Sequence, residues 1–275
     1  MTANMDDEHG GGAVRPTNAT NATNATNRVV APRGLLAMMV VLFVLPVGCD
    51  DVGTGGDRVR GSGDVTMETR SVGDFERVVL AGEGSVLFDT GSDGLVEIET
   101  DDNLFTHVLT DVSGDTLTIS TELGIDIDPT SGITYRLGCP VITAVVLSGA
   151  GTIDLAACAT TDRLRIDLAG AGTIVAPDLE LSTLEASLPG AGSIVATGRT
   201  DRLDVVLAGA GDFEAGDLRA DAASVESLGV GMTTLWAVDE LYVSVTGVGA
   251  VRYYGDPQLS STVTGVGTIE ALGAK

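Results

Sequence analysis

Four acidic residues in the second half of the chain are spaced by roughly one sequence repeat: Asp167, Glu185, Asp204 and Glu226. Carboxylates that meet on outward positions of neighbouring coils could bind a cation or act as acid and base on a polysaccharide. The chain has 39 acidic residues, however, so adjacent carboxylates are also expected by chance. We therefore predict no enzymatic activity and keep a polysaccharide-modifying enzyme as an alternative.

Several of the few aromatic residues gather near the end of the chain, although aromatics make up only 4% of it. Trp236 and Tyr254 each stand five residues after a Gly-Val-Gly phrase, so they lie one above the other if the phrases stack. Together with Tyr242 they could form a platform that stacks on a sugar ring or anchors a partner. The alternative is packing that shields the strand edges at the end of the repeat, and the inward position of Tyr253 favours it.

An export signal is indicated directly before Cys49. Two arginines precede an apolar run of 15 residues, 34–48, which is shorter than the roughly 20 residues needed to span a bilayer. The segment Leu45–Cys49 resembles the lipobox of bacterial lipoproteins, in which the Cys is lipidated and becomes the mature N-terminus; Pro46 departs from that pattern. We expect Cys49 to carry acyl chains that hold the protein on a membrane, with an ordinary signal peptide cleaved near Gly48 as the alternative.

Two further cysteines, Cys139 and Cys158, are 19 residues apart. An exported protein meets an oxidising space, and neighbouring coils bring Cα atoms to a distance that a disulfide can bridge. We therefore predict a Cys139–Cys158 disulfide.

Other chemistries are disfavoured by the sequence. The phrase 170–172, Gly-Ala-Gly, begins like a dinucleotide fingerprint, but the third glycine is absent and no helix pattern follows, so we expect no cofactor. A net charge of −24 with only 15 Lys and Arg leaves no basic surface for nucleic acid. His107 is the only histidine after the signal, and no metal-ligand spacing surrounds it, so we predict no metal site.

A repeated Gly-x-Gly phrase organises the second half of the chain. Its copies are Gly149–Gly151, Gly170–Gly172, Gly190–Gly192, Gly209–Gly211, Gly229–Gly231, Gly247–Gly249 and Gly265–Gly267. The first glycines are 21, 20, 19, 20, 18 and 18 residues apart, and Gly82–Gly84 resembles an earlier copy. A near-constant step of this size is typical of a solenoid.

Apolar residues alternate with mixed ones on both sides of each phrase. Six residues before the first glycine, for example, stand Leu164, Leu184, Leu203, Ala223, Leu241 and Leu259. Period two with one apolar face indicates half-buried strands, so we predict an all-β fold, a right-handed parallel β-helix with coils of about 18–21 residues. Ser227 interrupts an apolar column beside Leu228, which predicts a bulge there.

The chain divides into three segments by composition. Residues 1–48 read as a low-complexity leader plus signal peptide, and 49–71 as the lipidated Cys and a flexible tether rich in Gly, Asp, Ser and Thr. Residues 72–275 form the predicted β-helix domain, with an irregular first part over 72–138.

Several of these segments carry a family resemblance. The run Phe75–Leu80, the triplet Asp102–Leu104, the triplet Leu117–Ile119 and the train of Leu-Ser-Gly-Ala-Gly-like phrases are similar to the head GIN domain of putative autotransporter adhesins over roughly residues 74–256. The resemblance implies a β-helix of the bacterial envelope, often a lipoprotein, and brings no catalytic residues with it.

These patterns together favour an exported, lipid-anchored envelope protein that acts as a non-catalytic, adhesin-like binding module. Its expected partner is a surface glycan or an envelope protein, and its expected location is the periplasmic or surface face of a bacterial membrane. A structural spacer without a specific ligand is the first alternative, and the polysaccharide-modifying enzyme is the second.

Overall fold

The structure is a computed structural model that describes residues 57–89, 94–138, 141–155 and 160–275. The leader, the signal segment, Cys49, Cys139 and Cys158 lie outside these ranges. The lipidated cysteine and the disulfide therefore stay predictions. A helix that could span a bilayer is not found in the described ranges.

The described chain consists almost entirely of strands. They are β1 Asp57–Arg60, β2 Val65–Ser71, β3 Arg77–Leu80, β4 Glu83–Asp89, β5 Leu95–Asp101, β6 Val108–Ser113, β7 Thr116–Thr121, β8 Ile125–Asp128, β9 Thr134–Gly138, β10 Ile142–Leu147, β11 Ala150–Asp154, β12 Thr160–Leu168, β13 Ala171–Leu188, β14 Ala191–Leu207, β15 Ala210–Ser227, β16 Val230–Val245, β17 Val248–Tyr254, β18 Gln258–Val263 and β19 Val266–Gly273. A short 3₁₀ helix, Asp102–His107, follows β5.

From β10 onward, each coil stacks in parallel on the coil before it. Gly151 pairs with Gly172, and Gly172 pairs with Gly192, so the repeated phrases lie directly above one another. The apolar columns beside them follow the same register and form a continuous core. Its buried ladder includes Leu164, Leu184, Leu203, Ala223 and Leu241 on one side and Ile153, Ile174, Ile194 and Phe213 on the other. The predicted parallel β-helix is confirmed.

The phrase glycines form a corner where backbone meets backbone. At Gly192 the φ angle is +137°, and an added Cβ would lie only 1.8 Å from the carbonyl oxygen of Gly172. Ala191 N donates to Gly170 O at 2.9 Å, so the hydrogen-bond ladder runs through the corner without a break. Glycine is required here because any side chain would separate the coils.

The first part of the domain is irregular, as predicted, and it stacks out of sequence order. Strands β3 and β4 lie between the coil of β10 and β11 on one side and the coil of β7 and β9 on the other. Antiparallel strands then cover that end, because β6 pairs with β7, β5 pairs with β9, and β2 pairs with β5. We call these antiparallel strands and the 3₁₀ helix the cap.

The prediction of a flexible tether over 49–71 is wrong for the residues that the structure describes. Strand β1 pairs with β8, and all seven residues of β2 pair with β5. Arg70 donates to the carbonyl oxygens of Phe105 at 2.8 Å and Val108 at 2.7 Å, which fixes β2 to the cap. Backbone pairing thus fixes residues 57–60 and 65–71 to the rest of the domain, although their composition resembles that of a linker.

The predicted bulge at Ser227 is also wrong. Ser227 pairs with Leu207 and Val245 in the unshifted register, buried in the apolar column. Leu228 is directed outward and is 48% exposed. A shift would break the backbone hydrogen bonds on both sides of the coil, and burying one hydroxyl is the smaller cost.

The other end of the solenoid is open. Every residue of β18 is exposed, although Leu259 and Val263 continue the columns that are buried in earlier coils. Within the part of the chain that the structure describes, strands β18 and β19 each pair with a coil on one side only. The solenoid therefore has one covered end and one uncovered end.

Candidate functional site

The structure brings Trp236 and Tyr254 together, as the repeat predicts. Trp236 in β16 and Tyr254 in β17 are register partners on adjacent coils, and both are half-buried. A Cβ added at Gly216 would lie 3.4 Å from the Tyr254 ring, so bare backbone faces this ring. We call the surface formed by these two rings and Gly216 the aromatic wall.

A lysine that the sequence did not single out lies over the aromatic wall. Lys275 Nζ is 4.8 Å from the centre of the Tyr254 ring and 5.7 Å from that of the Trp236 ring. The same ammonium group donates to the carbonyl oxygen of Gly216 and to the Asp217 carboxylate. These partners are 58 and 59 residues away along the chain, so no local sequence pattern could have pointed to them.

A shallow groove of about 380 Å³ runs beside the aromatic wall. Its charged lining comprises the carboxylates of Asp212, Glu214 and Asp217 and the cations of Arg252 and Lys275. Arg252 donates from Nε to Glu270 at 3.1 Å, and Asp212 accepts a hydrogen bond from Met232 N at 2.8 Å. The groove can therefore hold a small polar group against an aromatic surface.

The other two tyrosines near this site lie elsewhere. Tyr242 is 45% exposed, pairs with Ser224 and Ser260, and does not line the groove. Tyr253 is partly buried and packs against the core, in keeping with its inward position. The predicted platform thus reduces to Trp236 and Tyr254.

Three of the four candidate catalytic carboxylates form ion pairs with arginines. Asp167 pairs with Arg165 at 3.2 Å, and Asp204 pairs with Arg202 at 2.7 Å. Glu185 lies 3.5 Å from an Arg163 nitrogen. Because these three carboxylates each have a cation beside them, this part of the surface is a ladder of ion pairs.

The register brings only two of the four candidates side by side. Glu185 and Asp204 are partners on adjacent coils. Asp167 and Glu226 belong to another column, where Ser187 is the next partner of Asp167 and Val206 precedes Glu226. The four carboxylates therefore do not converge on one site.

His107 lies at the end of the 3₁₀ helix, and its Nδ1 is 2.7 Å from Glu122 Oε2. Among the described residues, no group of three or more His, Cys, Asp or Glu is placed to hold a metal ion.

A second hollow near the cap contains a carboxylate that the sequence did not suggest. Glu83 borders it with Asp126 and Asp128, and Glu83 Oε1 is buried without a hydrogen-bond partner. Burial, together with the two neighbouring carboxylates, raises the pKa of Glu83. Burial also raises the pKa of Tyr135, whose hydroxyl donates to the carbonyl oxygen of Glu83 at 3.2 Å.

Comparisons with known proteins agree with this fold. The family model for the putative auto-transporter adhesin, head GIN domain, matches residues 74–257, more than half of the chain. A putative adhesin from Bacteroides fragilis is 26% identical, with a TM-score of 0.74 over 78% of this chain and 100% of its own. Among curated proteins, none matches the chain.

Two solved structures from Parabacteroides distasonis share the fold at lower identity. One is a putative lipid binding protein and the other a putative adhesin, 21% and 23% identical to this chain. Each has a TM-score of 0.60 and covers 78% of this chain and 100% of its own. The sequence match and the shared solenoid lead to one conclusion: this chain belongs to the head GIN domain family of putative auto-transporter adhesins.

Proposed function

We propose that this chain is an exported, lipid-anchored binding module of the cell envelope that has no catalytic role. The observation that carries the proposal is the aromatic wall, where two half-buried rings are register partners on adjacent coils and one of them, Tyr254, lines an open groove. Family membership supports an adhesin-like surface role. The placement of Asp167, Glu185, Asp204 and Glu226 in two separate columns argues against the polysaccharide-modifying enzyme, because such catalysis needs two carboxylates on either side of one bond.

The expected ligand is part of a surface glycan or of an envelope protein. Aromatic rings bind such groups through their large apolar faces, and they lose little conformational freedom because both rings are already half-buried. Polar groups beside the rings, here Asp217 and Arg252, would orient the ligand.

The test is binding of the full chain to glycan arrays and to intact bacterial cells. We expect Trp236→Ala and Tyr254→Ala each to reduce binding at least about fivefold, since aromatic anchors dominate such interfaces. Tyr242→Ala is the matched control, because it removes an exposed ring of the same strand as Trp236 that is not part of the aromatic wall. If all three variants bind as well as the unsubstituted chain, the structural spacer is the better description. Polysaccharide turnover that is lost on an Asp→Asn change would establish the enzyme instead.

Membrane anchoring through Cys49 is a separate part of the proposal. Acyl chains on Cys49 would hold the protein on a membrane, at about 0.8 kcal/mol per buried CH₂. We expect cells to incorporate labelled fatty acid into the full chain and Cys49→Ser to abolish it. Labelling that survives this substitution would contradict the anchor.

A further inference from the structure

We propose that Trp236, Tyr254, Gly216 and Asp217 form a binding site for a primary ammonium group, the group carried by a lysine side chain of a partner protein. In this structure Lys275 occupies the site from within the same chain. The inference rests on the proposed function, because it names the ligand chemistry of the aromatic wall.

The contacts of Lys275 are those of a complete ammonium site. Two ring faces lie within the distance at which aromatic quadrupoles attract cations, 4.8 and 5.7 Å from Nζ. A carbonyl oxygen and a carboxylate accept two of the three ammonium hydrogens. A quaternary ammonium could use the rings but could donate to neither oxygen, so the arrangement fits a primary ammonium better.

The charge around the site also favours an incoming cation. Without Lys275, the groove has three lining carboxylates, Asp212, Glu214 and Asp217, against the single guanidinium of Arg252. Arg252 is itself held by Glu270. A cation that replaces the Lys275 ammonium thus restores the charge that the groove has in this structure.

The site is open enough to exchange its occupant. The side chain of Lys275 is 32% exposed and that of Asp217 is 75% exposed. An ion pair at this exposure is weak on its own, so the rings and the carbonyl oxygen must supply much of the selectivity. Lys275 then acts as a competitor held at high local concentration, and an external lysine must displace it.

The experiment uses the only tryptophan of the chain, Trp236, as the reporter. In full chain carrying Lys275→Ala, n-propylammonium chloride supplies the part of the side chain that the substitution removes. We expect it to change the Trp236 fluorescence saturably, with an apparent affinity about tenfold higher than in the unsubstituted chain, where Lys275 competes. The neutral 1-propanol and equal concentrations of NaCl should have no such effect. A response to 1-propanol that equals the response to n-propylammonium, or no response to either, would overturn the proposal.

Two further variants separate the site from general effects on the fold. Asp217→Asn in the Lys275→Ala background should weaken n-propylammonium binding, because the charged acceptor is lost. Tyr242→Ala in the same background should leave it unchanged. If Asp217→Asn leaves binding unaltered, the cation does not occupy the Lys275 position and the proposal fails.

The partner is then identified with a peptide. A lysine-containing peptide should bind the Lys275→Ala chain, and the same peptide with an acetylated lysine Nζ should not. Binding to vesicles with ethanolamine headgroups but not to the peptide would overturn the assignment to a protein partner. If cell binding depends on Trp236 while all ammonium probes fail, only this inference falls. If n-propylammonium binds but Trp236→Ala leaves binding to cells unchanged, the proposed function is wrong instead.

Discussion

At the scale of single residues, the corner glycines meet two separate demands. Gly192 has both a φ of +137° and a backbone oxygen 1.8 Å from any added Cβ. Gly190 faces an oxygen at 2.2 Å without the positive φ, and Gly63 has a φ of +92° with nothing within 4 Å. Gly63 therefore has only the backbone strain, Gly190 only the steric exclusion, and Gly192 both.

Alanine substitution at these glycines should show which demand dominates. We expect Gly63→Ala to cost about 1 kcal/mol of unfolding free energy, the usual cost of a strained φ. Gly190→Ala and Gly192→Ala should each cost about 3 kcal/mol or more, because the opposing oxygen belongs to the ladder and cannot move away. Urea-induced unfolding followed by circular dichroism measures the three values. Equal costs at Gly63 and Gly190 would show that the coils can separate at the corner.

A buried carboxylate, Asp101, fastens the cap. It accepts hydrogen bonds from the Thr130 hydroxyl at 2.7 Å, from Thr130 N at 2.8 Å and from Gly63 N at 2.8 Å. The hydrogen bonds from Thr130, and then that from Gly63, lower the pKa of Asp101 below its ordinary value of 3.8. Glu83 has the opposite shift, because burial and its acidic neighbours raise its pKa.

These two shifts predict opposite dependences of stability on pH. The folded state favours ionised Asp101, so its contribution is complete above about pH 3.8 and is lost as the pH falls below it. The folded state favours protonated Glu83, so stability falls as the pH rises from 4.5 through the raised pKa. Asp101→Asn should therefore lower stability at pH 7 and flatten the loss below pH 3.8. Glu83→Gln should raise stability at pH 7.

Urea unfolding between pH 3 and pH 7 tests both substitutions. A stability loss in Asp101→Asn that is as large at pH 3 as at pH 7 would contradict the role given to its charge. A destabilised Glu83→Gln at pH 7 would show that the ionised carboxylate has a favourable contact in the folded state.

At the scale of the coil, burial depends on having a neighbour on both sides. Leu184 in β13 and Leu259 in β18 occupy the same column, but Leu184 is fully buried and Leu259 is 42% exposed. The difference arises because, among the described residues, no further coil pairs with the outer edge of β18. A single coil therefore gains little from its apolar face until the next coil stacks on it.

The same substitution in these two coils should have unequal effects. Leu184→Ala should cost about 2–5 kcal/mol of unfolding free energy, as for other buried leucines. Leu259→Ala should cost about 1 kcal/mol or less, because much of its surface already contacts water. Thermal or urea unfolding of the two variants gives the comparison. Equal losses would mean that the open end is covered in solution.

The coils were predictable from sequence because inward positions recur in register, from Leu164 through Leu241. The stacking of β7 and β9 beneath β3 and β4 was not, since alternation shows that a strand is half-buried but not which strand it pairs with. For the same reason the sequence analysis assigned β2 to a flexible tether, because its pairing with β5 is not visible in its composition. At the site, the repeat predicted the Trp236–Tyr254 pair, while Lys275 reaches it only through tertiary contacts.

At the scale of the whole domain, the two ends of the solenoid differ. The cap covers one end with antiparallel strands, and β18 and β19 leave the other end open. In a stack where each coil contacts only its neighbours, stability is lowest where a neighbour is missing. Opening should therefore start at β18 and β19 and spread inward.

Native-state hydrogen exchange should show this gradient. We expect the slowest amide exchange in β13, β14 and β15, which pair on both sides, and the fastest strand exchange in β18. Mass spectrometry of proteolytic fragments resolves the coils. Uniform protection from β13 to β19 would indicate that the domain opens only as one unit.

The corner ladder also has an evolutionary consequence. Gly172 and Gly192 fix the register only between adjacent coils. A duplicated coil of about 20 residues could therefore be added between the cap and the aromatic wall with the same corner and the same apolar columns. Each duplication would move the aromatic wall about 4.8 Å further from the cap. Homologues could thus differ in the distance between cap and aromatic wall by whole multiples of one coil, while the residues of the binding surface stay the same.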